Sequence, residues 1–359
     1  MPIPIVDSHI HLFPASHLPT LAWHGPDNPL ASQHSVDQYR LATASTSTSP
    51  DASESTYLRG FVFLETDRIS SVEESGKGWS HTLDEVSFLT RVITGEPVAG
   101  EGHHADDRHL CLGIVPWAPV PGGPAALEKY MALVKERTRS DDIWRRVRGV
   151  RYLVQDKPAG VMTQPDFIDG LVWLGRKKLA FDLGVDARQG GLGQLREAVE
   201  MMRRVYDEEK SSLIMVINHL CKPNLRLPSS GPEPVTSHPD FLEWKSLVTA
   251  MAQYPTTYMK LSGGFSELPP LPSTPEPDLP SLVETLAPWT DVVFDAFGPE
   301  RVMFGSDWPV CNIGGGGNAA SWRRWKSIVE GLLERRGLTG SQKAGVWGQV
   351  AVNAYGVNI

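Results

Sequence analysis

The chain contains few cysteines and no long apolar runs, and these two features argue against several classes of protein. Its 359 residues include three cysteines, Cys111, Cys221 and Cys311, with no C-x-x-C pair. A sparse, odd set of this kind indicates reduced thiols and argues against a disulfide framework or a zinc–thiolate site. No apolar stretch approaches the ~20 residues that a membrane-spanning helix needs. The first residues also lack the layout of a signal peptide, so we expect a cytoplasmic protein without a membrane partner.

The chain also lacks an excess of basic residues. The sequence has 34 basic and 42 acidic residues, which gives a formal net charge of −8. This balance disfavours nucleic acid and anionic membranes as the main partner. Hydrophobic residues make up 41% of the chain and charged residues 21%, which is typical of a globular protein.

Eight short β-like runs alternate with helical patterns along the chain. Several runs are apolar throughout, which is typical of parallel strands that are covered on both faces. Eight strands that alternate with helices over roughly 300 residues predict a (β/α)₈ barrel. An open doubly wound sheet is the alternative, although no G-x-G-x-x-G follows the first run. The runs are 5–12, 60–65, 110–117, 147–154, 179–185, 213–219, 257–261 and 302–307, and the main helices are predicted at 125–138, 166–174, 192–210, 241–253, 282–297 and 320–336.

Four segments rich in glycine, proline, serine or threonine interrupt this alternation. They are 42–56, 95–108, 225–239 and 268–280. The whole chain has 33 glycines and 29 prolines, about one residue in six, against a usual ~12%. Because such segments cannot bury much apolar area, we expect them to be surface loops inserted into one barrel domain that spans residues 1–359.

Histidines and an aspartate stand at the ends of three predicted strands. His9 and His11 end the first run and share one face, because strand side chains alternate with a period of two. His219 ends the sixth run and Asp307 ends the eighth. The carboxyl ends of barrel strands meet at one mouth. Imidazoles and a carboxylate that converge there can hold a divalent ion, and the carboxylate can act as a general base.

Other polar strand-end residues carry two interpretations each. Glu65 is either an extra metal ligand or the start of a polar loop. Arg151 can grip a substrate carboxylate or hydroxyl in a forked geometry, or it can form a structural ion pair. Trp308 is either a wall of the substrate pocket or part of the core.

Several motifs resemble the amidohydrolase superfamily, and more closely its lactonase-type branch, known as amidohydrolase 2. The branch contains lactonases of sugar lactones and of a pyrone dicarboxylate. The matching motifs keep the family order across nearly the whole chain. They are DSHIH at 7–11, GVRYLVQ at 149–155, NHLCKP at 218–223 and FGPERVMFGSD at 297–307.

The resemblance implies a distorted (β/α)₈ barrel that hydrolyses a small cyclic ester, a sugar lactone or a related acidic lactone. It places His9, His11, His219 and Asp307 at the metal and catalytic positions, with Asp307 as general base and then general acid. It also implies that Arg151 and Gln155 face the substrate. Trp308 beside them is the predicted pocket wall.

For the cofactor, the resemblance implies one divalent ion, zinc or manganese, although some lactonases of this branch work without an ion. The substrate is a small molecule, and a homo-oligomer is compatible with the sequence. A non-oxidative decarboxylase or hydratase of an aromatic acid on the same scaffold is the alternative function.

Overall fold

The computed structural model describes residues 2–44, 56–227, 234–271 and 276–359. In this part of the chain the strands pair in sequence order, as one sheet of three and one of five. Every ladder between them is parallel. The strands are Ile3–Ile10 (β1), Thr56–Leu64 (β2), Cys111–Val115 (β3), Gly149–Arg151 (β4), Ala180–Leu183 (β5), Met215–Ile217 (β6), Thr257–Leu261 (β7) and Val302–Phe304 (β8).

Two seams of isolated bridges close the sheets into a barrel. Ile114 pairs with Val147 between β3 and β4, and Ile10 pairs with Trp308 between β8 and β1. At the second seam the His11 amide donates to the Trp308 carbonyl at 2.7 Å. The barrel is distorted because these seams carry isolated bridges where the other strand pairs carry ladders. The predicted distorted (β/α)₈ barrel is confirmed.

Helices follow the strands, and most of the predicted ones are confirmed within a few residues. The helices are Val36–Thr43 (α1), Ser80–Thr94 (α2), Gly123–Thr138 (α3), Asp141–Trp144 (α4), Pro165–Lys177 (α5), Leu192–Arg203 (α6), Pro239–Ala252 (α7), Gly264–Glu267 (α8), Leu279–Phe297 (α9), Asn312–Gly315 (α10), Ser321–Arg335 (α11), Gly340–Ala344 (α12) and Val350–Tyr355 (α13). Helix α2 was not predicted, because its buried face includes the polar residues Thr82, Glu85 and Thr90, which hide the apolar stripe. None of the described helices is long and apolar enough to cross a membrane.

The C-terminal helix α13 closes one end of the barrel. Its residues Val350, Ala351 and Ala354 belong to a buried apolar cluster with side chains of β1, β2, β3, β5, β6 and β8. Gly348, just before α13, lies against the carbonyl of Pro4 at the start of β1. The end blocked by α13 is therefore the one where strands begin, and the end where strands finish, here called the mouth, is left for the site.

The predicted loops fall partly outside the described residues. Positions 45–55, 228–233 and 272–275 are not described, so three of the four predictions, and that of a single domain, stay predictions. The fourth segment, 95–108, is irregular up to a 3₁₀ turn at Ala105–His109, yet Glu101, His103 and Asp107 within it are buried. It is packed against the rest of the structure, because Glu101 forms an ion pair with Arg91 and its carboxylate lies 3.2 Å from His103 Nε2.

Candidate active site

Three strands deliver the four predicted side chains to the mouth. His9 lies near the end of β1 and His11 just beyond it, while His219 and Asp307 follow β6 and β8. All four side chains are buried, and His9 is completely so. The predicted sixth and eighth strands are longer than the observed ones, which end at Ile217 in β6 and at Phe304 in β8. The backbone leaves the sheet before it reaches His219 and Asp307.

These four side chains meet around one point. Asp307 Oδ1 lies 3.5 Å from His9 Nε2 and 3.7 Å from both His11 Nε2 and His219 Nε2. The Nε2 atoms of His9 and His11 are 3.2 Å apart. One potential ligand atom from each of His9, His219 and Asp307 lies within 4.8 Å of the other two. The structure therefore brings together the four residues that the sequence singled out.

The backbone reaches this point through left-handed conformations. His219, Leu220, Cys221 and Lys222 have φ values of 56, 53, 59 and 45°, and Asp307 has 61°. A left-handed conformation costs a residue with a side chain about 1–2 kcal/mol. Such strain persists where surrounding contacts hold it, and it concentrates at functional sites. Four residues in succession form one left-handed turn that directs both His219 and Lys222 into the same cavity.

Two of the imidazoles are oriented by partners on their far sides. His11 Nδ1 lies 3.0 Å from the Leu64 carbonyl oxygen and 2.9 Å from that of Glu65. Because a carbonyl oxygen only accepts, Nδ1 is the donor and Nε2 is the ring nitrogen that faces the site. His219 Nδ1 lies 2.8 Å from Ser262 Oγ. The orientation of both rings is thus set before any ligand binds.

A buried ion pair lies beneath His9. Lys260 on β7 is fully buried, forms an ion pair with Asp182 on β5, and places Nζ 3.4 Å from His9 Nδ1. Asp182 also accepts a hydrogen bond of 2.7 Å from the Tyr355 hydroxyl. Burial lowers the pKa of Lys260 to about 8, against the opposing effect of Asp182. Sequence reasoning missed Asp182, because a single aspartate inside an apolar strand does not reveal which way it points.

The protonation states suit both ligation and base catalysis. Burial lowers the pKa of His219 to about 3, only partly opposed by the Asp307 carboxylate. Burial and the Lys260 charge hold the pKa of His9 well below 6.5. Burial alone would raise the pKa of Asp307, but His219 and His11 outweigh it and hold that pKa below 3.8. At neutral pH the site therefore contains a carboxylate and neutral imidazoles at His9 and His219.

A cavity of about 370 Å³ opens above these residues. His11, His219 and Asp307 line it, whereas His9 lies behind them. Loops after β1 and β8 contribute most of the apolar side chains, and β2, β4, β6 and the loops after them contribute most of the polar ones. The apolar set is Phe13, Trp23, Leu30, Leu153, Pro309, Val310 and Ile313, and the polar set includes Thr66, Asp67, Arg151, Gln155, Asp156 and Lys222.

The remaining predicted residues fall into two groups. Arg151 and Gln155 line the cavity, and Arg151 also forms a buried ion pair with Glu65, so the structural ion pair is present and contact of the arginine with substrate stays a prediction. The Glu65 carboxylate contacts Arg151 and accepts a 2.6 Å hydrogen bond from the Asp67 amide. Both carboxylate oxygens of Glu65 therefore have partners outside the group of His9, His219 and Asp307. Trp308 is fully buried and donates to Asn318 at 2.7 Å, and it is not among the described residues that line the cavity.

Residues 95–325, more than half of the chain, match the model of the family described as Amidohydro_2, amidohydrolase. The chain belongs to the amidohydrolase family. The predicted family and the prediction of an enzyme of this family are confirmed. Among its relatives is the L-rhamnono-gamma-lactonase of Scheffersomyces stipitis, 36% identical over 355 residues, which are 98% of this chain and 98% of the relative. The L-fucono-1,5-lactonase of Burkholderia multivorans is 30% identical over 216 residues, 59% of this chain and 64% of the relative.

Solved structures show the same fold. An amidohydrolase from Burkholderia multivorans, crystallised with bound zinc, is 25% identical to this chain with a TM-score of 0.66, and the match covers 99% of both chains. The 2,6-dihydroxybenzoate decarboxylase of Rhizobium is 10% identical with a TM-score of 0.55, and the match again covers 99% of both. At that identity the decarboxylase shares the fold alone.

The donor set of this amidohydrolase fits a divalent ion. Imidazole nitrogens and a carboxylate oxygen are ligand types that zinc binds. An ion with four tetrahedral ligands at ~2.0–2.1 Å holds neighbouring ligand atoms ~3.3 Å apart. The distances between His9, His11 and Asp307 run from 3.2 to 3.7 Å, and His219 is 3.7 Å from Asp307. The structure thus supports a site for one divalent ion.

Proposed function

We propose that the protein hydrolyses a sugar lactone at the mouth of its barrel. The observation that carries this proposal is the ionised Asp307 carboxylate within 3.7 Å of three imidazole nitrogens at the base of a cavity. The choice of a lactone rests on the relative named L-rhamnono-gamma-lactonase, which is similar over the whole length of the chain. A cavity of about 370 Å³ accommodates a substrate the size of a monosaccharide lactone.

Asp307 has the position and the charge of the general base. Lactone hydrolysis needs a proton removed from the attacking water and a proton delivered to the ring oxygen as the acyl C–O bond breaks. Asp307 takes the first proton and returns it in the second step, so one carboxylate acts as base and then as acid. Because the pKa of Asp307 lies below 3.8, the carboxylate is ready to accept a proton at neutral pH.

The imidazoles have two tasks in this proposal. His9, His219 and Asp307, with His11 beside them, would hold a divalent ion, which supplies a Lewis acid for the lactone carbonyl when it is bound. Zinc is our choice, because the similar amidohydrolase of Burkholderia multivorans was crystallised with zinc. If His219 is not a ligand of the ion, its Nε2, kept towards the cavity by the contact of Nδ1 with Ser262, can instead orient the carbonyl oxygen.

The polar loops would position the sugar. Arg151 and Gln155 extend from β4 into the cavity and can bind ring hydroxyls. Glu65 fixes the Arg151 guanidinium through its carboxylate and its backbone carbonyl, so the arginine reaches the cavity in one orientation. Glu65 therefore acts on the substrate through Arg151.

An assay panel tests the reaction class. Base uptake would be followed at constant pH with L-rhamnono-γ-lactone and L-fucono-1,5-lactone, and carbon dioxide release with 2,6-dihydroxybenzoate. We expect lactone turnover without decarboxylation. Carbon dioxide release without lactone turnover would overturn the proposal in favour of the decarboxylase alternative.

Metal removal tests the cofactor separately. We expect chelator treatment followed by gel filtration to abolish turnover, and stoichiometric zinc or manganese to restore it. A metal-free preparation with full activity would leave the histidines as hydrogen-bonding groups only. Measuring metal content by mass spectrometry in each sample ties the activity to about one ion per chain.

A further inference from the structure

A second cationic side chain, Lys222, reaches the cavity next to His219 and Asp307. Its side chain is 16% exposed. Two hydrogen bonds hold its backbone in the left-handed turn, one from its amide to the His219 carbonyl at 2.7 Å and one to its carbonyl from the Arg188 amide at 3.1 Å. The unusual turn after β6 therefore serves two residues of the cavity, and only His219 has a role in the mechanism above.

The two cavity cations differ in how far their charge is neutralised. Arg151 makes a direct ion pair with Glu65. The carboxylate nearest to Lys222 is that of Asp186, at 3.8 Å, and Asp186 already accepts a 2.6 Å hydrogen bond from the Gln189 amide. Within the described residues the Lys222 ammonium makes no hydrogen bond. An ammonium that lines a cavity and has no acceptor at bonding distance can bind an anionic ligand that enters the cavity.

The proposed reaction creates such an anion. Attack of water on the lactone carbonyl and cleavage of the bond between the acyl carbon and the ring oxygen convert a neutral ester into an open-chain hydroxy acid. The ring oxygen becomes a hydroxyl, and the acid is a carboxylate at neutral pH. The lactone carbonyl oxygen becomes one of the two carboxylate oxygens. We infer that Lys222 is the carboxylate-binding residue of the cavity, and that the hydroxy-acid product is held through its charge. This inference rests on the proposed function.

The contrary interpretation is that Lys222 only pairs with Asp186 and fixes the loop. Both interpretations predict some loss of stability when the lysine is replaced, so stability does not separate them. A preference for a charged over an uncharged ligand does, because a residue that contacts the carboxylate changes this preference much more than a lysine that does not contact it. The probe pair is the open-chain anion L-rhamnonate and its amide, L-rhamnonamide, which differ by one charge and little else.

Binding of the two probes would be measured by calorimetry on the wild type, Lys222→Met, Lys222→Arg and Lys157→Met, with metal content matched. Methionine is unbranched like lysine, so it adds no backbone strain at φ 45°. Lys157 is the matched control, because it carries the same charge near the mouth but does not line this cavity.

We expect Lys222→Met to reduce the preference for the anion over the amide by about tenfold or more, the range of a hydrogen bond to a charged group. Lys222→Arg should restore most of the preference, and Lys157→Met should leave it within about twofold. A wild-type preference in Lys222→Met would overturn the inference while lactone turnover by the wild type still supports the proposed function. A wild type that neither opens lactones nor binds L-rhamnonate would overturn both.

Discussion

Replacing Gly263 by alanine tests whether the position of the His219 ring controls activity. Gly263 follows β7 with φ +70°, and a Cβ there would lie 2.7 Å from Cγ and Nδ1 of His219. Ordinary contact begins at 3.4 Å, so the ring would have to move by about 0.7 Å. Displacements near 1 Å in a catalytic site can cost about 100-fold in rate. We therefore expect Gly263→Ala to lower kcat for lactone hydrolysis by about 10- to 100-fold.

The chain offers a matched control at Gly337. It has almost the same φ, +69°, but no described atom lies within 4 Å of the position that a Cβ would take, so Gly337→Ala adds the backbone strain without the collision. We expect both variants to lose about 1 kcal/mol of unfolding free energy from that strain in denaturant titrations. Only Gly263→Ala should also lose activity and bind zinc more weakly in a calorimetric titration. Equal, wild-type activity in the two variants would refute the argument that Gly263 exists to admit the His219 ring.

Three further predictions address protonation, the buried ion pair and substrate binding. Because the pKa of His9 is held well below 6.5 and that of Asp307 below 3.8, kcat/KM measured at constant ionic strength should show no inflection near pH 6.5 and should fall only at more acidic pH. An inflection near 6.5 would contradict this. Lys260→Met leaves the buried Asp182 carboxylate with the Tyr355 hydroxyl as its hydrogen-bond partner but without its ion pair. Chemical denaturation should therefore show a loss of about 3–5 kcal/mol in the free energy of unfolding, and a loss under about 1 kcal/mol would refute the buried charge. In Arg151→Lys the side chain cannot contact the Glu65 carboxylate and the Glu65 carbonyl at the same time, so initial rates should show KM for the lactone raised by about tenfold. An unchanged KM would argue for a purely structural arginine.

The sequence predicted the barrel and the meeting of four side chains for a simple reason. Parallel strands inside a barrel are apolar on both faces, so a polar residue at the end of such a run is conspicuous. His219 and Asp307 each follow an apolar strand, and His9 and His11 share a face by the period of two. The geometry of a closed barrel then leaves one mouth where they can meet.

What the sequence did not reveal depends on backbone direction and on pairing across the barrel. The left-handed turn at 219–222 has no glycine to announce it, so the approach of Lys222 to the cavity was not predicted. The ion pair of Lys260 and Asp182 joins β7 to β5, and nothing local in either strand identifies the partner. Trp308 at the end of the eighth run was expected to line the pocket, but its indole donates to Asn318 and packs against Tyr39 in the core.

Some predictions concern properties beyond one chain and its site. The cytoplasmic location and the homo-oligomeric state stay predictions. The latter is measured directly by sedimentation of the purified protein. The role of the segments at 42–56, 225–239 and 268–280 also stays a prediction, because much of each lies outside the described residues.

The central claim is that the Asp307 carboxylate accepts the proton of the attacking water. The most direct measurement compares kcat for L-rhamnono-γ-lactone between the wild type and Asp307→Asn, with folding and metal content checked in both. The amide has the shape of the carboxylate but cannot accept that proton, so we expect kcat to fall by about 10²- to 10⁴-fold with the fold intact. Turnover at the wild-type rate by a folded Asp307→Asn enzyme would contradict the account.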